Sequence, residues 1–153
     1  MNNFLTKNRN KQVITTSSQE TFIIGKKIGK SCIGSEVILL LGDLGAGKTV
    51  LAQGIASGLG CKDKVNSPTF NILKIYDIKS EKPQKIRIFC HVDAYRLNTG
   101  KDLLSLGIEE FMDSPDTVTV IEWAEKVKSV WPHDSIKIQM RALSEDQREI
   151  KIS

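Results

Sequence analysis

The sequence has no apolar run long enough to cross a bilayer. Its longest is Val37–Leu41, five residues, against the roughly 20 that a spanning helix needs. Aromatic residues are sparse at 6%. The three cysteines, Cys32, Cys61 and Cys90, are odd in number, widely spaced and form no C-x-x-C pair. Such a set argues against a disulfide framework or a zinc site, and neither His91 nor His133 stands at ligand spacing from a cysteine. Reduced thiols and a cytoplasmic location are the expectation. No internal repeat with a period of about 20–50 residues is visible. The N-terminal stretch has no apolar core, so it does not read as a secretory signal.

Acidic residues are absent from the N-terminal stretch. Residues 1–19 carry Lys7, Arg9 and Lys11 with no Asp or Glu, whereas the rest of the chain holds 19 bases and 18 acids. The formal charge of +4 therefore belongs mostly to a basic arm, and the nearly neutral body carries no nucleic-acid footprint. With 153 residues, 40% of them apolar and 26% charged, the chain has the size and balance of one globular domain. The expected organisation is an arm over residues 1–15, read as a solvated tail, and a single domain over 16–153.

Lys11–Thr15 reads as a short strand. Ser17 through Glu20 reads as a capping box opening an amphipathic helix over Ser18–Cys32. Glu36–Leu41, with its continuous apolar run Val37–Leu41 and no alternation, has the pattern of a strand buried on both faces of a parallel sheet. A glycine-rich loop follows, then a helix over Lys48–Leu59 stopped by Gly60. Phe70–Tyr76 and Lys85–Asp93 read as strands joined by a polar hairpin loop. Lys101–Met112 is helical with Gly107 as its weak point, Thr117–Ile121 is a β-branched strand, and Ala124–Val130 is a short helix ended by Pro132. Ser135–Ala142 and Gln147–Ile152 read as a terminal β-hairpin. Helices alternating with buried strands predict an α/β three-layer sheet with flanking helices.

Gly42-Asp43-Leu44-Gly45-Ala46-Gly47-Lys48-Thr49 matches the G-x-x-x-x-G-K-[ST] phosphate loop, set between a buried strand and a helix as that motif requires. A polyphosphate needs several converging backbone N–H groups, and a glycine-permitted turn presents them without Cβ clashes. The helix opening at Lys48 adds the positive end of its dipole. Asp43, Leu44, Gly45, Ala46, Gly47, Lys48, Thr49 and Val50 are the expected nucleotide-binding set. Lys48 supplies a catalytic ammonium for the β- and γ-phosphates, and the Thr49 hydroxyl is a ligand for Mg²⁺. No Asn-Lys-x-Asp element for guanine is present, so ATP is the expected nucleotide.

Such a site also needs a carboxylate facing Mg²⁺ and a group that orients the attacking water. Asp93 and Glu122 both end apolar strands, and the residues alone do not divide the two roles between them. In Ser67-Pro68-Thr69-Phe70, the Thr69 hydroxyl stands where switch segments sense a γ-phosphate. Arginine is too sparse around these positions for the lid of a small-molecule kinase: of Arg9, Arg87, Arg96, Arg141 and Arg148, only Arg96 is near. A nucleotide-gated binding module without useful turnover of its own is the other reading that the residues leave open.

The phosphate loop, Ser67-Pro68-Thr69-Phe70, His91-Val92-Asp93-Ala94-Tyr95-Arg96-Leu97, Leu106-Gly107-Ile108-Glu109-Glu110 and Ile121-Glu122-Trp123 occur in this order. Together they resemble the bacterial TsaE family. That resemblance implies a small cytoplasmic P-loop ATPase of tRNA threonylcarbamoyladenosine biosynthesis. It implies as partners a heterodimer of the threonylcarbamoyl-transferase and its paralogous scaffold, which modifies position 37 of tRNA; contact with tRNA would be indirect, and no membrane or DNA is involved. Hydrolysis would drive or reset that complex. The resemblance assigns Mg²⁺ to Thr49 and Glu122, hydrolysis to Asp93, a switch role to Thr69 and a place beside the nucleotide to Trp123. The arm and the polar loop 78–84 depart from the usual pattern without touching the motifs.

Overall fold

The computed structural model describes residues 3–68, 70–79 and 85–153. Thr69 and most of the polar loop 78–84 lie outside the described residues. The helices are α1 (Phe4–Asn8), α2 (Ser18–Ser31), α3 (Lys48–Leu59), α4 (Gly100–Leu104) and α5 (Glu109–Met112), with a 3-10 helix over Ala124–Val130. The strands are β1 (Gln12–Thr15), β2 (Val37–Leu41), β3 (Leu73–Asp77), β4 (Ile88–Asp93), β5 (Thr117–Glu122), β6 (Ile136–Ala142) and β7 (Arg148–Ile152). Among the described residues, no helix is long and apolar enough to cross a membrane.

The strands form one sheet in the order β1-β7-β6-β2-β5-β4-β3. Its centre is parallel: β2 pairs in parallel with β5 and β6, and β5 with β4. The antiparallel strands lie outside it. Because successive side chains on a strand point to opposite faces, the unbroken run of β2 feeds two cores. Ile38 and Leu40 pack with α2 and α3 residues such as Ile28, Leu51 and Ile55. Val37 and Leu39 pack with Leu103, Ile108 and Val127 on the other face. The result is the expected three-layer α/β fold, and the terminal hairpin is the β6–β7 pair, built into the sheet beside β2.

Helix α2 crosses α3 at unusually short range. A Cβ on Gly25 would run into the Leu51 carbonyl oxygen, one on Gly29 into that of Ile55, one on Gly54 into that of Phe22 and one on Gly58 into that of Lys26. Backbone touches backbone, which only glycine permits. The Ser17 hydroxyl caps α2 by accepting from the Glu20 amide at 3.1 Å. Glu20, however, reaches back to the Thr16 amide at 2.6 Å, one residue earlier than a capping box has it.

Several elements differ from expectation. The segment 1–15 is not wholly a tail: α1 lies on α2, with the Phe4 amide donating to Ser31 Oγ at 3.0 Å, and β1 pairs with β7. The strand expected from Phe70 begins only at Leu73, and Phe70 stands 89% exposed. The expected helix over 101–112 is two, because Gly107 takes φ +76° between them. The segment after Glu122 is a 3-10 helix with a break at Val127, its end tied down by the Trp131 indole N–H on the Ala124 carbonyl at 2.8 Å. Burial pushes the Cys90 thiol up to about 12 and Cys32 well above its ordinary range, so both are inert packing groups.

Candidate functional site

Three parallel strands end side by side, and each delivers one part of a site at its C-terminal end. Leu40 is the register partner of Glu122 across β2–β5, and Glu122 is the partner of Asp93 across β5–β4. The loop leaving β2 therefore opens beside both acids. This is where parallel α/β sheets bind ligands. A cavity of about 460 Å³ lies there, within the range of about 300–1,000 Å³ usual for small-molecule sites.

The loop Gly42–Gly47 is shaped by three glycines with positive φ, Gly42, Gly45 and Gly47 at +140°, +79° and +94°. Gly42 is required twice over, since a Cβ there would also strike the Met140 carbonyl oxygen of β6. Gly47 is the N-cap of α3 and offers no side chain to it. The first helical bond is Leu51 N–H to the Gly47 carbonyl at 3.0 Å, so the amides of Lys48, Thr49 and Val50 are not consumed by the ladder. Among the described residues they meet no side-chain cap, and with the helix dipole they are the kind of end that suits an anion.

Lys48 is 5% exposed. Its ammonium donates to the Gly42 carbonyl and, at 2.9 Å, to that of Asp43. It lies 3.8 Å from the centre of the Trp123 indole, close enough for a cation–π contact. Burial pulls the Lys48 ammonium below its ordinary range; Glu125, Glu122, Asp43 and Asp93 oppose that shift. Trp123 itself holds a left-handed backbone, φ +55°, and packs on Tyr95 at 5.0 Å between ring centres.

The acids are held differently. Glu122, 2% exposed, accepts from the Thr49 hydroxyl through Oε2 at 3.2 Å. Its Oε1 faces Nε2 of the fully buried His91 at 3.5 Å. Asp93 accepts from the Ser67 hydroxyl at 2.8 Å and from the Tyr95 amide at 3.0 Å. Oxygen donors at Thr49 and Glu122 are of the kind a hard cation takes.

Leu44, Gly45, Ala46, Gly47, Lys48, Thr49, Val50, Asp93, Glu122 and Trp123 all line the cavity. Asp43 does not; its contribution is the backbone carbonyl under Lys48 and Ala46. Sequence reasoning missed the Ser67 hydroxyl on Asp93, although Ser67 opens the motif that it singled out. It also missed the wall made by Ser18 and Thr21 of α2, by Glu145 and Asp146 of the β6–β7 turn and by Arg148 at the start of β7. The parallel pairing of β6 with β2 brings that turn to the loop's end of the sheet, and no local motif announces it.

The family described as Threonylcarbamoyl adenosine biosynthesis protein TsaE matches residues 15–150. The chain belongs to the TsaE family. The tRNA threonylcarbamoyladenosine biosynthesis protein TsaE of Treponema pallidum is 34% identical over 140 residues, covering 92% of this chain and 98% of that protein. Its Bacillus subtilis namesake is 34% identical over 136 residues, covering 89% of this chain and 80% of that protein. The crystal structure of Bacillus subtilis YdiB superposes with a TM-score of 0.68 at 30% identity, over 91% of this chain and 81% of that one. The matched span takes in the phosphate loop and both acids, so the cavity belongs to the part of the chain that is TsaE-like.

Proposed function

We propose that this chain is a Mg²⁺-dependent ATPase that works in tRNA threonylcarbamoyladenosine biosynthesis. In this reading it binds and hydrolyses ATP in the cytoplasm to drive or reset a partner complex. That complex is a heterodimer of the threonylcarbamoyl-transferase and its paralogous scaffold, acting at position 37 of tRNA, which this chain contacts only indirectly. The names of its relatives support the system. The observation that carries the chemistry is the Thr49 hydroxyl lying 3.2 Å from Glu122, beside a lysine held at the mouth of an uncapped helix N-terminus.

The residues fit the groups they would hold. Glu122 Oε1 is buried with no hydrogen-bond partner among the described residues; such an oxygen is stabilised by a cation or a donor. Thr49 and Glu122 would hold Mg²⁺, and the loop amides with Lys48 would hold the phosphates. When bound, Mg²⁺ neutralises charge on the transferring phosphoryl group. Asp93, fixed by Ser67 and the Tyr95 amide, would orient the attacking water. Trp123 would lie beside the nucleotide, and Thr69 would sense the γ-phosphate. The absence of an Asn-Lys-x-Asp element favours ATP over GTP.

The test is ATP hydrolysis by the purified chain, alone and with the partner pair. Lys48→Ala keeps the loop backbone and removes one preorganised charge, which costs about 10²–10³-fold in rate. A variant that melts like the wild type and keeps more than about a third of its rate overturns the assignment.

A further inference from the structure

His91 sits on β4, two residues before Asp93, so both side chains leave the same face of the sheet. The ring is completely buried and lies nearly parallel to Phe89, 5.8 Å between centres and 27° between planes. A phenyl or aliphatic side chain would supply that contact equally well. The imidazole instead buries two ring nitrogens, and neither has a hydrogen-bond partner among the described residues. Leaving such a group unsatisfied costs about 1–3 kcal/mol. Packing therefore gives no reason for a nitrogen here.

The ring faces the Glu122 carboxylate. Nε2 faces Oε1 across 3.5 Å, and Oε1 is itself buried and without a hydrogen-bond partner. The other oxygen, Oε2, receives the Thr49 hydroxyl. The carboxylate thus lies between an imidazole on β4 and a hydroxyl on α3. An imidazole N–H can donate to a carboxylate oxygen, and Nε2 is the ring nitrogen that faces Oε1.

We infer that His91 is a positioning residue: it orients the Glu122 carboxylate for the cation that Glu122 and Thr49 hold, and touches neither nucleotide nor cation itself. This rests on the proposed reading of Glu122 as a Mg²⁺ ligand. Partners that orient a metal ligand are typically worth about 10–100-fold in metal affinity or activity, while a buried polar group kept for function is retained at the expense of stability.

The experiment compares wild type, His91→Phe and His91→Gln. Each is measured for thermal midpoint and for affinity toward a non-hydrolysable ATP analogue, with and without Mg²⁺. His91→Phe should melt at or above the wild-type midpoint and bind the metal-free analogue within about twofold of wild type. Its gain in affinity on adding Mg²⁺ should fall about tenfold or more. His91→Gln, which restores an N–H donor, should recover part of that gain. A His91→Phe protein with the full Mg²⁺ gain overturns the inference while leaving the Glu122 reading intact. A wild type with no Mg²⁺ gain overturns both. Should His91→Phe fail to fold, the wild type decides by ¹⁵N resonances of its two histidines. Adding Mg²⁺ to the analogue complex should move the ring signals of His91 and leave those of the exposed His133; unmoved His91 signals overturn the inference.

Discussion

The Lys48 ammonium rests on the face of Trp123, 3.8 Å from the ring centre, while its hydrogens are spent on carbonyls of its own loop. A polyphosphate would compete for that ammonium and redraw the cation–π contact. Nucleotide should therefore change tryptophan fluorescence. Trp123→Phe should abolish the change, and Trp131→Phe should keep it, since Trp131 is tied to the Ala124 carbonyl away from the loop. A signal carried by Trp131 instead would separate Trp123 from the site.

The same burial sets a pH dependence. Lys48 is pulled below its ordinary 10.5, and a bound polyphosphate, holding the charged form, would raise it again. Binding then requires proton uptake at any pH between the two values. Affinity for nucleotide should decline with rising pH, and the decline should begin below pH 10.5. Isothermal titration in two buffers of different ionisation enthalpy measures the proton uptake directly; Lys48→Met should lose it.

Asp93 and Glu122 are neighbours in register with different restraints, so their neutral variants should fail differently. Glu122→Gln should weaken Mg²⁺-dependent binding as well as rate, because a metal ligand acts in ground and transition states alike. Asp93→Asn should bind nearly normally and fail in hydrolysis. Ser67→Ala removes one donor from Asp93 and should cut the rate by about 2–10-fold, the worth of roughly 0.5–1.5 kcal/mol, with KM little changed. A KM effect larger than the rate effect would mean that Ser67 serves binding.

Gly54→Ala tests the helix crossing. The methyl group would meet the Phe22 carbonyl oxygen and force α2 from α3, an overpacking cost of about 1–3 kcal/mol set against roughly 1 kcal/mol of better helix propensity. The net should be a lower thermal midpoint. A midpoint at or above wild type would show that the two helices separate freely.

How much of this was legible in the sequence depends on how local each feature is. The phosphate loop, its flanking strand and helix, and the stop at Gly60 were readable because residues adjacent in the chain dictate them. Gly60 does take a left-handed φ of +96°. The split at Gly107 was visible only as a weak point, since helical spacing continues through it and tertiary packing chooses where the chain turns. The late start of β3 was not visible. Phe70 fits the alternation, yet the pairing of β3 with β4 begins at Leu73 opposite Val92. The ordering of residues 4–8 depends on Ser31, which is 27 residues away from Phe4. At the site, the acids were found as strand ends, but the hydroxyl that holds Asp93, from Ser67, comes from a separate loop. The wall from the β6–β7 turn follows from sheet order, which composition and spacing do not encode.

The glycine contacts between α2 and α3 make these two helices a single block, because neither can slide without driving backbone into backbone. Both contribute their N-terminal ends to the cleft, so one side of it is an anvil. The opposite side, where Asp93, Tyr95 and Trp123 meet, is joined through side chains instead, so the cleft has one wall locked backbone to backbone and one held by side-chain contacts.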